Sequence, residues 1–169
     1  MSKAFTKESD DGPFDELQIE PKDLLPAGIK NYVTPSGGEA LRAELARLEQ
    51  DVRPGLAAGK DAAKRKRLEA LDRRIQFLRD RVANMVVVDP KTQEQDSVRF
   101  GATVVVADAD GNEKTYQIVG VDESEPSTGK ISWISPIAKA LISARVGDVV
   151  TLELPDGNTE LEILEIEYR

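Results

Sequence analysis

The residues whose types and spacing could support chemistry are concentrated in the stretch RPGLAAGKDAAKRKR, residues 53–67. This stretch contains six Lys or Arg side chains and a single carboxylate, that of Asp61. Two carboxylates that meet at a loop tip can hold Mg²⁺, whereas a lone aspartate among cations is better suited to capping a helix or pairing with a base. The stretch therefore favours a basic contact surface over a metal site.

The composition and the motifs exclude several other kinds of catalytic or metal-binding site. The 169 residues include no cysteine and no histidine, which excludes disulfides, thiol chemistry and the commonest general base and zinc ligand. The segment DADGNE, residues 108–113, begins like a calcium loop, but its twelfth position would be Val119, so a β-turn is the better interpretation. No phosphate-binding glycine motif is present. We predict no catalytic residue, no metal and no cofactor.

The charge is unevenly distributed along the chain, whose net charge is −8. Residues 36–85 hold twelve bases and eight acids, whereas residues 1–35 hold four and seven, and residues 86–169 hold seven and sixteen. A basic middle in an acidic protein favours an anionic partner, and a solvated helix face without a partner is the alternative. Whether the acidic N-terminal segment covers the basic one is left open by the sequence.

Two predicted helices must position the basic stretch. Thr34 and Pro35 are suited to begin the first helix, and Asp61 is suited to begin the second. Apolar residues then recur at three- and four-residue steps, which is typical of a coiled coil: Leu41, Leu45, Leu48 and Val52, then Leu68, Leu71, Ile75, Leu78 and Val82. We predict an antiparallel coiled-coil hairpin over residues 34–86 with its tip at about 53–61. Packing of both stripes into a larger helical core is the alternative.

Residues 87–169 predict a small α+β domain, in which one short helix crosses an antiparallel sheet. Asp110-Gly111 and Asp156-Gly157 mark the turns of two hairpins, KISWIS is a further strand, and Ser135-Pro136 begins the helix. The acidic, proline-interrupted residues 1–33 predict a flexible tail. Because no long apolar segment or signal sequence is present, we expect a cytoplasmic protein without membrane association.

Three segments carry a family resemblance: NYVTPSGGEALRAEL, KRKRLEALDRRIQFL and ISWISPIAKALISARVGDVV. Residues 31–169 resemble the bacterial transcript-cleavage factors GreA and GreB, and SKAFTKE and RRIQFL are closer to GreB. The resemblance implies an N-terminal coiled-coil hairpin followed by an FKBP-like domain. It also implies that the C-terminal domain binds RNA polymerase at the rim of the secondary channel, while the hairpin extends toward the active centre.

The resemblance further implies two sets of site residues. The polymerase-binding set corresponds to the start of the short C-terminal helix, and Ile134 precedes it where GreB has an aspartate. The other set is a basic patch along the hairpin, near the nascent transcript. The polymerase-binding set is Ser135, Pro136, Ile137, Ala138 and Lys139, and the basic patch is Lys64, Lys66, Arg67, Arg73 and Arg74.

The family's catalytic tip is not matched. Gre tips carry the pattern Gly-Asp-x-x-Glu-Asn-Ala-Asp/Glu-Tyr, whose acids help to hold a magnesium ion. This chain has PGLAAGKDAA instead, and the loss of about a dozen residues shortens the hairpin's reach by ~9 Å. We therefore expect a monomeric, non-enzymatic factor that binds polymerase, contacts nascent RNA or DNA through its basic patch, and modulates elongation without stimulating cleavage. The alternatives are a divergent cleavage factor acting through Asp61 and a polymerase-bound metal, and a prolyl isomerase suggested by fold alone.

Overall fold

A short strand precedes the two helical arms and pairs with the strand that follows them. A computed structural model describes residues 25–169, so most of the predicted tail of residues 1–33 lies outside the described residues. The last three residues of that tail do not fit the prediction, because Asn31–Val33 form strand β1. This strand pairs in parallel with β2, Met85–Val87, and Val33 is fully buried among the helices. Burial of this apolar side chain stabilises the strand.

Two helical arms follow β1. The first arm comprises α1, Pro35–Arg47, then a π-helical turn, Leu48–Val52, and then α2, Arg53–Ala57. The second arm is α3, Ala62–Asn84. Pro54 does not end the first arm, since α2 follows the π-helical turn directly and the backbone stays helical through Pro54 to Ala57. The turn between the arms is therefore residues 58–61, which is narrower than the predicted tip.

The predicted apolar stripes of the two arms meet in one cluster. Leu48, Leu71 and Leu78 are at most 2% exposed, and burial of each such side chain contributes about 1.5–3 kcal/mol. The remaining predicted positions of both stripes belong to the same cluster, fully or partly buried. The arms therefore stabilise each other through the residues that the sequence pattern selected.

A five-stranded sheet forms most of the C-terminal part. Its strands are β3, Thr103–Ala107, β4, Glu113–Val119, β5, Lys130–Ser132, β6, Val149–Leu154, and β7, Gly157–Glu167, in the spatial order β5-β4-β3-β7-β6. Helix α4, Pro136–Leu141, packs on one face and contributes Ala138 and Leu141 to the core. The mixed α+β architecture agrees with the prediction.

Two details of the sheet correct the sequence analysis. Strand β5 pairs in parallel with β4, so the sheet is mixed rather than wholly antiparallel. The chain between these strands makes two short 3₁₀ turns, Val121–Glu123 and Pro126–Thr128, and this crossover brings β5 back in the same direction as β4. In the second hairpin Leu154 pairs with Gly157, so the two-residue turn lies one residue earlier than predicted.

The first hairpin turn confirms the turn interpretation of residues 108–113. The Asp108 carboxylate accepts hydrogen bonds from the backbone N–H groups of Asp110 and Asn112 at 3.0 and 2.9 Å, and also from the Asn112 side chain. These bonds, those of Asn112 first, lower the pKa of Asp108. Its oxygens are thus used within the turn, and Gly111 adopts the positive φ that the turn requires.

Candidate functional site

The tip between the arms contains one carboxylate, and this carboxylate caps the helix that follows. Asp61 is the N-cap of α3, and its Oδ1 accepts a hydrogen bond from the backbone N–H of Lys64 at 2.7 Å. The first arm closes with the N–H of Gly59 donating to the carbonyl of Leu56 at 3.1 Å. The predicted cap role of Asp61 is confirmed.

Ion pairs join the two arms alongside their apolar cluster. Arg53 approaches Asp72 at 2.7 Å and Arg79 approaches Glu49 at 2.6 Å. The hydrogen bond and charge of Asp72 raise the pKa of Arg53. These side chains are partly open to solvent, so their stabilising effect is small and screened by salt. The pairs help to fix how the arms lie beside each other.

The five residues of the predicted basic patch occupy different environments. Lys64, Lys66 and Arg73 are exposed, and within residues 25–169 no ion pair involves them. Arg67 is half-buried. Arg74 has a side chain that is 15% exposed, and its Nη2 lies 3.0 Å from Glu44 on the first arm. The structure therefore leaves three of the five cations most accessible.

Helical spacing sets the direction of the accessible cations. Lys66 and Arg73 lie seven residues apart, which is close to two helical turns, so they share one face of α3. Leu71 and Ile75, which face the first arm, lie on the opposite side of the helix. Lys66 and Arg73 consequently present charge outward, about 10 Å apart along the helix.

The predicted polymerase-binding residues surround the start of α4. Ser135 is its N-cap and accepts a hydrogen bond from the N–H of Ala138 at 3.2 Å. Pro136 and Lys139 are exposed, whereas Ala138 is fully buried and Ile137 packs against the sheet core. A partner protein can therefore reach Pro136 and Lys139 directly, and Ala138 supports the helix from inside.

A buried polar junction between the arms and the sheet was not predicted from the sequence. It is built around Asp122 and Glu123, which follow β4. Asp122 lies 3.3 Å from Nε of Arg81 and accepts a hydrogen bond from Nδ2 of Asn31 at 3.1 Å. Glu123 accepts from the backbone N–H of Thr34 at 2.9 Å and from the Thr34 hydroxyl. Both carboxylates thus contact the base of the arms.

Two glycines allow this junction to close. A Cβ atom added to Gly37 would lie 2.0 Å from Cδ of Glu123, and one added to Gly120 would lie 2.3 Å from the carbonyl oxygen of Tyr32. Either contact is too short for a side chain. The sequence contained no signal for the junction, since Gly37 is known to be buried only once the fold is known.

Among the residues that the structure describes, no group of three or more Asp, Glu, His or Cys side chains is arranged to hold a metal ion. None of the described helices has the length and apolar character needed to cross a membrane.

Comparison with known proteins identifies the family. A family model described as "Transcription elongation factor, GreA/GreB, C-term" matches residues 92–168. Transcription elongation factor GreB of Neisseria meningitidis serogroup A / serotype 4A is 46% identical over 154 residues, covering 82% of this chain and 94% of that protein. Transcription elongation factor GreA of Francisella philomiragia is 39% identical over 153 residues, covering 81% of this chain and 96% of that protein.

A solved structure is also similar. GreA factor homolog 1 (Gfh1) of Thermus thermophilus is 25% identical, with 82% of this chain and 99% of that chain covered, at a TM-score of 0.38. The sequence matches span both the helical arms and the sheet, and they define a class of bacterial transcription factor. This chain belongs to the GreA/GreB family of transcription elongation factors.

Proposed function

We propose that this protein binds RNA polymerase at the secondary channel and modulates elongation without stimulating transcript cleavage. In this proposal the two arms form a short coiled-coil hairpin that enters or obstructs the channel, and the C-terminal part is an FKBP-like domain that docks outside it. The protein works as a cytoplasmic monomer, and it is a regulator rather than an enzyme.

The observation that carries the proposal is the use of Asp61 at the tip. Metal-assisted hydrolysis needs carboxylates free to coordinate an ion, and usually more than one. Asp61 is the sole carboxylate of the turn, and it caps α3 through Lys64. Loss of this cap to a metal would leave a helix N-terminus without its hydrogen-bond acceptor.

The extent of the match to GreB supports a shortened hairpin. The 82% of this 169-residue chain that aligns with the Neisseria protein is about 139 residues, about 15 fewer than the 154 aligned positions. The alignment therefore passes over positions at which this chain has no residue. A deletion at the tip, where the family's acidic pattern is missing, would explain both the shorter reach and the single carboxylate.

The basic patch provides the second half of the proposal. Lys64, Lys66 and Arg73 are exposed and suited to contact the phosphates of nascent RNA or DNA in the channel, whereas Arg74 is engaged with Glu44 and contributes less. Arg67 lies between these groups in exposure. Contacts of this kind weaken steeply as salt concentration rises.

Docking is proposed to use the exposed side chains at the start of α4, Pro136 and Lys139. Both project from a helix whose first turn is held by Ser135 and whose inner face is anchored by Ala138. A Lys139→Glu substitution should weaken polymerase binding without disturbing the sheet. Lys114→Glu is a matched control, since Lys114 is also an exposed lysine of the C-terminal part.

A transcript-cleavage assay on a backtracked elongation complex tests the proposed function. The protein is added alone and then together with an authentic Gre factor. We expect no cleavage from the protein alone and dose-dependent inhibition of the authentic factor, with Lys139→Glu a weaker inhibitor than Lys114→Glu. Cleavage by the protein alone, abolished in Asp61→Ser, would establish the divergent cleavage factor instead. Absence of polymerase binding at moderate salt would overturn the proposal altogether.

A further inference from the structure

The buried junction holds both arms at a single point of the sheet domain. Asp122 contacts Arg81 near the end of the second arm and Asn31 before the first, and Glu123 contacts Thr34, the cap of the first arm. We propose that Asp122 and Glu123 are positioning residues that fix the direction in which the arms leave the sheet domain. The consequence at polymerase rests on the proposed function, whereas the positioning itself does not.

A small change in direction matters because the arms are long. From Arg81 to the first residue of α3, the helix extends for about 28 Å, so a tilt of about 10° at the base moves the tip by about 5 Å. A hairpin already shorter than that of its relatives cannot compensate for such a displacement by extra length. The angle at the base therefore decides where Lys64 and Lys66 arrive.

The carboxylate contacts are the directional part of the junction. Tyr32 also bridges the two parts, since its ring centroid lies 5.1 Å from that of Trp133 and 6.0 Å from that of Phe100. Apolar burial of this kind holds surfaces together but tolerates sliding. Hydrogen bonds constrain distance and angle, and Glu123 accepts them from Thr34, the residue just before α1, as well as from the N–H of Gly120 in its own turn.

The burial of the ion pair supports an orienting role over a purely stabilising one. The side chains of Arg81 and Asp122 are 8% and 7% exposed, and the Arg81 guanidinium lies 4.9 Å from the centre of the Phe77 ring. Removing two charges from water offsets much of the attraction between them, so apolar residues could hold the same surfaces together as well. What this pair adds is an attraction between two particular elements, α3 and the segment after β4, although Nε and Nη2 of Arg81 make no hydrogen bond among the described residues.

Glu123 also supplies a charge that α1 lacks. The first turn of α1 contains no acidic residue, although the positive end of a helix dipole favours one. Glu123 occupies that place from the other part of the molecule, and Gly37 leaves the space for it. The start of α1 is consequently complete only when the arms lie in the observed direction.

A distance measurement between the tip and the sheet tests this proposal. The chain has no cysteine, so Ala58→Cys and Glu153→Cys provide two unique sites for spin labels on exposed positions. The labelled parent is compared with Asp122→Asn, with Glu123→Gln and with the double variant. The control is Glu160→Gln/Glu162→Gln, which removes two exposed carboxylates of β7. Circular dichroism at the measuring temperature establishes that each variant is folded.

We expect one narrow distance distribution in the parent and the control, and a distribution at least twice as broad, or displaced, in the double variant. Asp122→Asn, which keeps an oxygen for Asn31 and loses the charge facing Arg81, should show an intermediate width. If the double variant does not fold, Asp122→Asn and Glu123→Gln decide the outcome singly. A folded variant with the parent's narrow distribution would overturn the proposal.

A second readout connects the geometry to polymerase. A photo-crosslinker at Lys60 reports where the tip lies in the complex. We expect the junction variants to bind polymerase as tightly as the parent but to crosslink from the tip several-fold less. Unchanged crosslinking would contradict a positioning role. If even the parent fails to bind polymerase, the proposed function fails, yet the distance measurement on the unbound protein still decides whether the junction fixes the arms.

Discussion

The two ends of the second arm use their cations in opposite ways. At the base, Arg81 is buried, stacked near Phe77 and paired with Asp122. Near the tip, Lys64 and Lys66 on the same helix are exposed, and no described residue forms an ion pair with either of them. The comparison shows that net positive charge along α3 is not one functional surface. Cations at the base hold the molecule together, and cations near the tip are available to a partner.

Substitution of Arg81 should give the largest effect on stability. Arg81→Ala leaves Asp122 buried and short of its cationic partner, and breaking one side of a buried pair typically costs about 3–5 kcal/mol. Lys66→Ala, an exposed position on the same helix, should change stability by less than about 0.5 kcal/mol. Urea denaturation of both variants measures the difference. Equal losses of stability in the two variants would mean that the cations at the base and near the tip contribute equally to folding.

The sequence predicted the elements well but not how they meet. Leucine spacing predicted the packing of the arms, and turn residues predicted the hairpins and the Ser135 cap, because these signals act over a few residues. The predicted antiparallel pairing of β5 was wrong, since strand periodicity does not encode which neighbour a strand pairs with or in which direction. The junction was missed for a related reason: Asn31 and Thr34 find partners 91 and 89 residues away. No pattern of neighbouring residues indicates a contact between positions so far apart in the sequence.

The candidate site was predictable in composition but not in accessibility. The run KRKR and the arginines that follow it identified a basic patch, and the position of Asp61 identified a cap. Sequence spacing could not show that Arg74 turns toward Glu44 while Arg73 faces outward, since that depends on where the first arm lies. Tertiary packing therefore selects among cations that look equivalent in the sequence.

Glycine-to-alanine substitutions should change stability in opposite directions at the base and near the tip of the arms. Gly120→Ala would place a methyl group against the carbonyl of Tyr32 at the base, and overpacking of this kind costs about 1–3 kcal/mol. Gly55→Ala lies within α2 with no atom within 4 Å of the added Cβ, so it should stabilise the first arm by about 0.5–1 kcal/mol. Thermal melting of the two single variants checks both signs. A loss of stability in Gly55→Ala would show that the tip is more tightly packed than its exposure indicates.

Substitution of Asp61 tests whether the tip carboxylate is structural. Asp61→Ala removes the cap of α3 and should cost about 0.5–2 kcal/mol, whereas Asp61→Ser keeps a capping oxygen and should restore most of that loss. Denaturation midpoints of the two variants give the comparison, and transcript cleavage is measured alongside. A Ser variant that regains stability but alters cleavage would assign the carboxylate a chemical role beyond its cap.

The smallest effect on stability, and the most specific effect on binding, is expected for Lys66→Ala/Arg73→Ala. Both side chains are exposed on the outer face of α3, so the double variant should unfold within about 0.5 kcal/mol of the parent. If they contact phosphates, affinity for a single-stranded RNA oligonucleotide should fall, and the slope of log affinity against log salt should decrease by about 0.7 for each cation lost. Lys114→Ala/Lys130→Ala removes two exposed lysines of the sheet and controls for net charge. Equal slopes in the two double variants would mean that the outer face of α3 is merely solvated, and the distinction between the base and the tip would then be one of burial alone.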